Sequence, residues 1–398
     1  MTADPQIWQE EIDEWYEEEV AAASPVHQTP VVDFAEKYAR SQLRVVRETK
    51  DYQLDYLQHA LRPGRELIDI SPAYQRRLRW TTKKKSLLIE SFLLNIPVPP
   101  IFLFERDYNE YEVIDGRQRL ESIRGFLGNE FALAGLEYWP ELNRQKFKDL
   151  PHILQRGLLR RSLSAVVLLA ETREAAQDDL DVRRVLFDRL NTGGVRLNPQ
   201  ELRNALYPGS LNKMLIELAR SAPFTQVWGI PPYDESEEEN PSEALLKNAL
   251  FSSLADAELV LRFFALRDAV QKGKQGSLRA IMDRYMEKNM HIDPERADGL
   301  KREFITQLYR FLEVFKGVPF RLPTTHRPSR PLYDALMIAL SQKPGLDIEA
   351  RAVQIREELD NALADEHSYD VLVGRGNTIE AVHERVSLAG SILRAGLQ

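Results

Sequence analysis

The chain contains no cysteine. That absence excludes a disulfide framework, thiolate zinc sites and thiol nucleophiles, and it suits a reducing compartment. No stretch approaches the ~20 consecutive apolar residues that cross a bilayer, so no membrane partner is expected. The opening residues, MTADPQIWQEEIDEWYEEE, are acidic and lack the basic and apolar segments of a secretory signal. The expectation is a soluble, cytoplasmic protein. Several chemical signatures are also missing. There is no GxxxxGK[ST], no GxGxxG, no HExxH and no GxSxG, so P-loop, Rossmann, zincin and nucleophile-elbow readings lose their main support. The seven histidines are scattered, and no metal-ligand set is expected.

The chain has 398 residues, 43% of them hydrophobic, and a net charge of −8. That length suggests two domains. The charge is uneven. Residues 1–60 hold thirteen acids and five bases and so account for all of it. Residues 70–89 carry six bases and no acid, and 144–161 carry six bases against one Asp. Residues 234–243 are the reverse, with six acids and no base. A local basic face attracts nucleic acid even when the total is acidic, so DNA is a candidate partner. The bland alternative for every such run is a solvated surface, and it is favoured for the acidic run.

Periodicity and punctuation predict the order of elements. Residues 5–20 read as an acidic helix, 21–30 as a linker and 31–60 as another helix. Leu67–Ile70 is a short strand. Thr81 or Thr82 caps a helix that buries Leu87, Leu88, Phe92 and Leu94, and Pro97, Pro99 and Pro100 end it. Ile101–Phe104 and 111–114 form a hairpin about 107–109. A helix follows Gly116, and Gly128-Asn129 closes it. Residues 164–169 form a strand and 179–190 a helix ending at Asn191–Gly194. Asn198-Pro199-Gln200-Glu201 has the pattern of a capped helix start. Beyond it the candidate helices are 244–271, 277–289, 294–316, 330–342, 347–365 and 377–396, with 234–242 as the loop between halves. The expected organisation is an acidic helical extension over 1–60, an α+β domain over 61–230 and a helical domain over 244–398.

The segment VIDGRQR, residues 113–119, is the most informative. A strand runs into Asp115-Gly116, and a helix opens with Arg117, Gln118 and Arg119. A helix start already carries unpaired N–H groups and about half a positive charge, and each base there costs a few tenths of a kcal/mol. Two readings are open. In one, Asp115 neutralises the turn and both arginines point to solvent. In the other the turn awaits an external anion: Gly116 admits close approach, the free N–H groups face the ligand and the arginines add bidentate contacts. Asp115 would then orient a water or fix an arginine. A second basic group, Gln75-Arg76-Arg77, follows the strand at 67–70, with Trp80 close by. Trp80 is more simply a core residue, and the turn at 191–194 and the cap at 198–201 have sufficient structural explanations. Arg203 is a weaker candidate.

Three blocks together resemble a known family. They are ISPAYQRRLRWTTKKKSLLIESFLLNIPVPPIFLFE, YEVIDGRQRLESIRGFL and LFDRLNTGGVRLNPQELRNALYPG, in that order, over roughly 65–210. The chain is similar there to the N-terminal domain of GmrSD-type modification-dependent restriction systems, whose motif reads VIDGQQRL. The resemblance implies a small mixed-sheet, ParB/sulfiredoxin-like fold and a nucleotide-binding, often NTP-hydrolysing, domain in antiviral defence. It implies that Asp115 and Gln118 serve catalysis and that Gln75, Arg76, Gly116, Arg117 and Arg119 hold a nucleoside triphosphate, with Mg2+ on its phosphates. Gly116-x-x-Arg119 also resembles the phosphate-contacting Gly-x-x-Arg of ParB-like proteins. Arg117 departs from the family's first Gln, which puts rapid hydrolysis in question. Related full-length effectors carry a His-Asn-His nuclease domain that this sequence does not show, so a sensor or regulatory role with a separately encoded effector protein is expected. A homo-oligomer is compatible with the sequence. The competing readings are a DNA-binding module without enzymatic activity and a scaffold whose acidic arm 1–20 engages a basic protein.

Overall fold

Short alternating segments between longer helical ones give an α+β chain. The computed structural model describes residues 7–22, 47–62, 67–70, 80–169, 198–238, 241–323, 325–374 and 378–396. These divide into two units, one of the described residues between 47 and 169, the other of 7–22 and 198–396. The second unit begins with helix α1 (Gln9–Ala22).

The first unit is built on a five-stranded mixed sheet. Its strands are β1 (Arg47–Gln53), β2 (Ile68–Asp69), β3 (Ile101–Asp107), β4 (Glu110–Asp115) and β5 (Ser162–Leu168), in the order β1-β5-β3-β4-β2. β3 and β4 form the expected hairpin, turning through Asn109 at φ 60°. Asn tolerates that left-handed conformation. β3 runs parallel to β5, with Ile101 opposite Ala165, and β2 runs parallel to β4. β1 closes the far edge antiparallel to β5. The expectation of one helix over 31–60 is not met in its described part. Residues 47–53 are β1, and only 54–60 is helical, as α2 (Leu54–Ala60). In β1 the more buried residues alternate with exposed ones, a period of two that a helix cannot use.

Helices α3 (Thr82–Leu93), α4 (Arg117–Leu127) and α5 (His152–Leu159) complete the unit. Thr81 caps α3 through Lys84 N–H, as expected. One core joins Leu54 and Leu57 of α2, Ile89 and Phe92 of α3, Leu120, Ile123 and Phe126 of α4, and the alternate residues Ile101, Leu103, Val113, Ala165 and Val167 of the sheet. Burying Leu120, Ile123 and Phe126 stabilises α4 by about 2 kcal/mol each. That outweighs the few tenths that its first-turn arginines cost against the dipole. Glu90, buried in α3, accepts the N–H groups of Glu137, Tyr138 and Trp139 at 3.2, 2.9 and 2.9 Å and so pins the loop after α4.

The second unit is helical: α6 (Pro199–Leu206), α7 (Ser210–Ala219), α8 (Ala222–Trp228), α9 (Glu243–Lys247), α10 (Ala249–Ser252), α11 (Ala255–Lys272), α12 (Leu278–Lys288), α13 (Pro294–Val314), α14 (Arg330–Ser341), α15 (Ala352–Ala364), α16 (Glu366–Val373) and α17 (Ile379–Ile392), together with α1. The single helix expected over 244–271 is three. Asn248 leaves the helix to accept Phe251 N–H, and Leu254 turns left-handed at φ 60°. A side chain that can bond its own backbone competes with helix continuation. Asp365 does the same and starts α16, a helix the sequence pattern does not announce. Phe224, Trp228, Phe263, Phe264, Phe304, Phe320 and Tyr333 form an aromatic centre whose neighbouring rings lie 4.9–6.2 Å apart. The acidic run is not wholly solvated surface. Glu237 accepts two hydrogen bonds from Arg220, at 2.8 and 2.6 Å, and the pair is largely buried.

Candidate anion-binding site

β4 delivers Asp115 to the end of the sheet, and Gly116 turns the chain into α4. Gly116 has φ 97°, a conformation L side chains rarely adopt. A Cβ there would lie 2.2 Å from Ile101 Cγ2 of the neighbouring strand β3. Glycine is therefore required twice over, by torsion and by space. It also leaves the first N–H groups of α4 without a capping side chain.

Neither arginine points into bulk solvent. The Arg119 side chain is 13% exposed, and its Nη2 donates to Asp115 Oδ2 at 2.7 Å. The same Nη2 lies 3.1 Å from where a Cβ on Gly116 would stand, so the guanidinium covers the glycine. Its Nε is buried and has no hydrogen-bond partner. The Arg117 side chain is 10% exposed. Its Nε donates to Glu121 Oε1 at 2.6 Å, and its Nη1 is likewise buried and unpartnered. At 3.6 residues per turn the two side chains leave the helix about 200° apart, so they flank its start from two sides.

Asp115 thus fixes an arginine, the second of the two roles open to it. Gln118 has a different partner. Its Oε1 accepts Trp80 N–H at 3.0 Å and ties the chain entering α3 to the first turn of α4. Trp80 packs against the core, and Lys84 Nζ stands 4.7 Å from its ring centroid. Gln75, Arg76, the helix expected at 179–190 and Asn191–Gly194 lie outside the described residues.

Two residues escaped sequence reasoning. Glu121 holds Arg117, and Arg124, three residues further along the same face, has a buried Nε without a partner. The signal was legible as Arg-x-x-x-Glu-x-x-Arg, an i, i+4, i+7 row. The third block proves structural where it is described. Asn198 and Glu201 form a reciprocal capping box, with bonds of 2.8 and 2.9 Å. Arg203 is 1% exposed and donates to Asp283 at 2.8 Å and Glu258 at 3.0 Å, inside the helical unit.

The strand–glycine–helix turn lies within a segment that matches a known family. Residues 57–208 match the family model described as GmrSD restriction endonuclease, N-terminal domain. That segment is a GmrSD-type N-terminal domain. It takes in the second half of α2, α3 to α5, strands β2 to β5, the DGRQR turn and α6. The match associates this domain with restriction systems. No curated protein and no solved structure matches the chain.

Proposed function

We propose that the GmrSD-type domain binds a nucleoside triphosphate at the 115–119 turn and that the chain is the nucleotide-responsive component of a restriction system. One observation carries the reading. Arg119 is drawn out of water over Gly116, held by Asp115 on one nitrogen and left with an unpartnered buried Nε. An unpaired buried donor costs about 1–3 kcal/mol, and an anion at the helix start would recover it while meeting the dipole. Arg117 supplies a second unpartnered donor on the other flank. Phosphate oxygens are the natural acceptors for such donors. Mg2+ would arrive on the phosphates, which are its usual principal ligands. Gln75 and Arg76 would join from the preceding segment on the family's analogy.

In this reading Asp115 holds Arg119 in place, and Gln118 couples the loaded turn to the segment before α3 through Trp80 N–H. With Arg117 where the family has Gln, and with Gln118 Oε1 already engaged, the chain binds more readily than it hydrolyses.

Calorimetric titration of the four NTPs with Mg2+ tests this. Arg119→Ala should weaken the preferred nucleotide at least tenfold, the loss of one charge-assisted contact or more, with a thermal melt near that of the unsubstituted protein. Equal affinity in the variant, or no affinity for any NTP in the parent, refutes the proposal. A hydrolysis assay on the same samples separates binding from turnover.

The alternative of DNA binding rests on exposed Arg144, Lys148, Arg156 and Arg160 around α5, accompanied by exposed Tyr138 and Ile153. These bases are not drawn into the core, and they suit phosphates from outside.

A further inference from the structure

Arg330 repeats, in the helical unit, the anomaly of Arg119. It occupies the first position of α14, directly after the capping Ser329, where the helix dipole is already positive. It is 3% exposed. Its Nη2 reaches Glu18 Oε2 only at 3.5 Å, and its Nε and Nη1 are buried without a partner. Burial, with Arg262 close by, lowers its pKa to about 10. Glu258, Asp334 and Glu18 offset part of that burial electrostatically, but two of its nitrogens still lack an acceptor.

What covers it is α1. The Trp15 ring lies 4.8 Å from the Arg330 guanidinium carbon, and Glu11 pairs with Arg327 at 3.1 Å. Glu11, Trp15 and Glu18 are spaced four and three residues apart and so share one face of α1. The arginines share one short stretch. Arg321 and Pro328 form a β-bridge, and Leu322 N–H donates to Arg327 carbonyl at 3.1 Å. Arg321 Nε is also buried and unpartnered. The acidic arm thus meets a basic surface within its own chain.

We propose that α1 is a displaceable internal occupant of a nucleic-acid site formed by Arg327 and Arg330, and that a polynucleotide strand competes with it for these arginines. The two acids stand seven residues apart, about 10 Å along the helix. The surface beneath therefore offers two separate cationic points, which successive phosphates of a strand can meet and a single phosphate cannot. The indole on Arg330 marks where a base can stack, since guanidinium and aromatic faces accept bases without regard to sequence.

The test uses the full chain and a fluorescently labelled single-stranded oligodeoxynucleotide, read by anisotropy. Glu11→Gln with Glu18→Gln should tighten binding about fivefold, the effect of removing two partly exposed ion pairs from the competitor. Glu14→Gln with Glu17→Gln removes the same charge from the exposed face of α1 and should leave affinity unchanged. Adding Arg327→Ala, at a half-exposed position, to the first pair should reverse the gain, with the melt reporting that the fold is kept. No gain, an equal gain from both pairs, or a gain that survives Arg327→Ala overturns the proposal. So does displacement of the oligonucleotide by low concentrations of inorganic phosphate, which would assign the site to a single anion. Arg119→Ala should not alter the gain, which keeps this site separate from the nucleotide site.

Discussion

Arg203→Met separates a structural arginine from a functional one. Arg203 sits 1% exposed between Glu258, 2% exposed, and Asp283, 10% exposed, and it donates to both. Methionine keeps most of the stem's volume, so the substitution removes chiefly the charge. Removing one partner of a buried ion pair costs about 3–5 kcal/mol. Taking about 4 kcal/mol and an m-value of about 2 kcal/mol/M in urea, the midpoint should fall by about 2 M. Urea unfolding followed by far-UV circular dichroism reads this shift. Nucleotide affinity at the 115–119 turn should be unaffected. A midpoint shift below about 0.5 M, well under the cost of removing one partner of a buried ion pair, would refute the assignment. A loss of nucleotide affinity at unchanged stability would move Arg203 to the functional side.

Other outcomes follow from the same geometry. Gly116→Ala must hold φ 97° and place a Cβ 2.2 Å from Ile101 Cγ2. It should cost about 2–4 kcal/mol, the sum of left-handed strain and overpacking, and abolish nucleotide binding, as a denaturant melt and calorimetry would show. Glu90→Gln weakens three backbone contacts to 137–139 and should cost about 2 kcal/mol, with faster amide exchange at those residues; unchanged exchange would refute the anchoring role. If the exposed bases around α5 bind duplex DNA through about four phosphates, log K should fall against log salt with a slope near −3.6. A flat response would remove DNA from that surface.

Much of the fold was legible. The strands at 101–104 and 111–114, the helix after Gly116, the Thr81 cap and the Asn198 capping box are local features, decided by alternation, torsional freedom and a side chain within reach of its own backbone. The errors share a cause. β1 is an edge strand with charged residues and little apolar contrast, so its pairing with β5 was invisible in 47–53 alone. The break of 244–271 into three helices follows Asn248, which accepts Phe251 N–H and donates to the Gly229 carbonyl nineteen residues back, and the left-handed turn at Leu254.

For the candidate site, the residue string by itself determined that a glycine and two arginines stand where a strand feeds a helix, and that their charges oppose the dipole there. Those facts follow from periodicity and need no partner. Only the tertiary structure decided what each arginine does. Arg119 is folded over Gly116 onto Asp115, Arg117 is held by Glu121, Arg203 is locked into a buried ion cluster, and Arg330 lies under a tryptophan of its own N-terminal helix. Sequence sets the sign and place of a charge along the chain. Whether that charge meets water, a carboxylate or an open position is set by which elements pack beside it, and packing is a property of the folded whole.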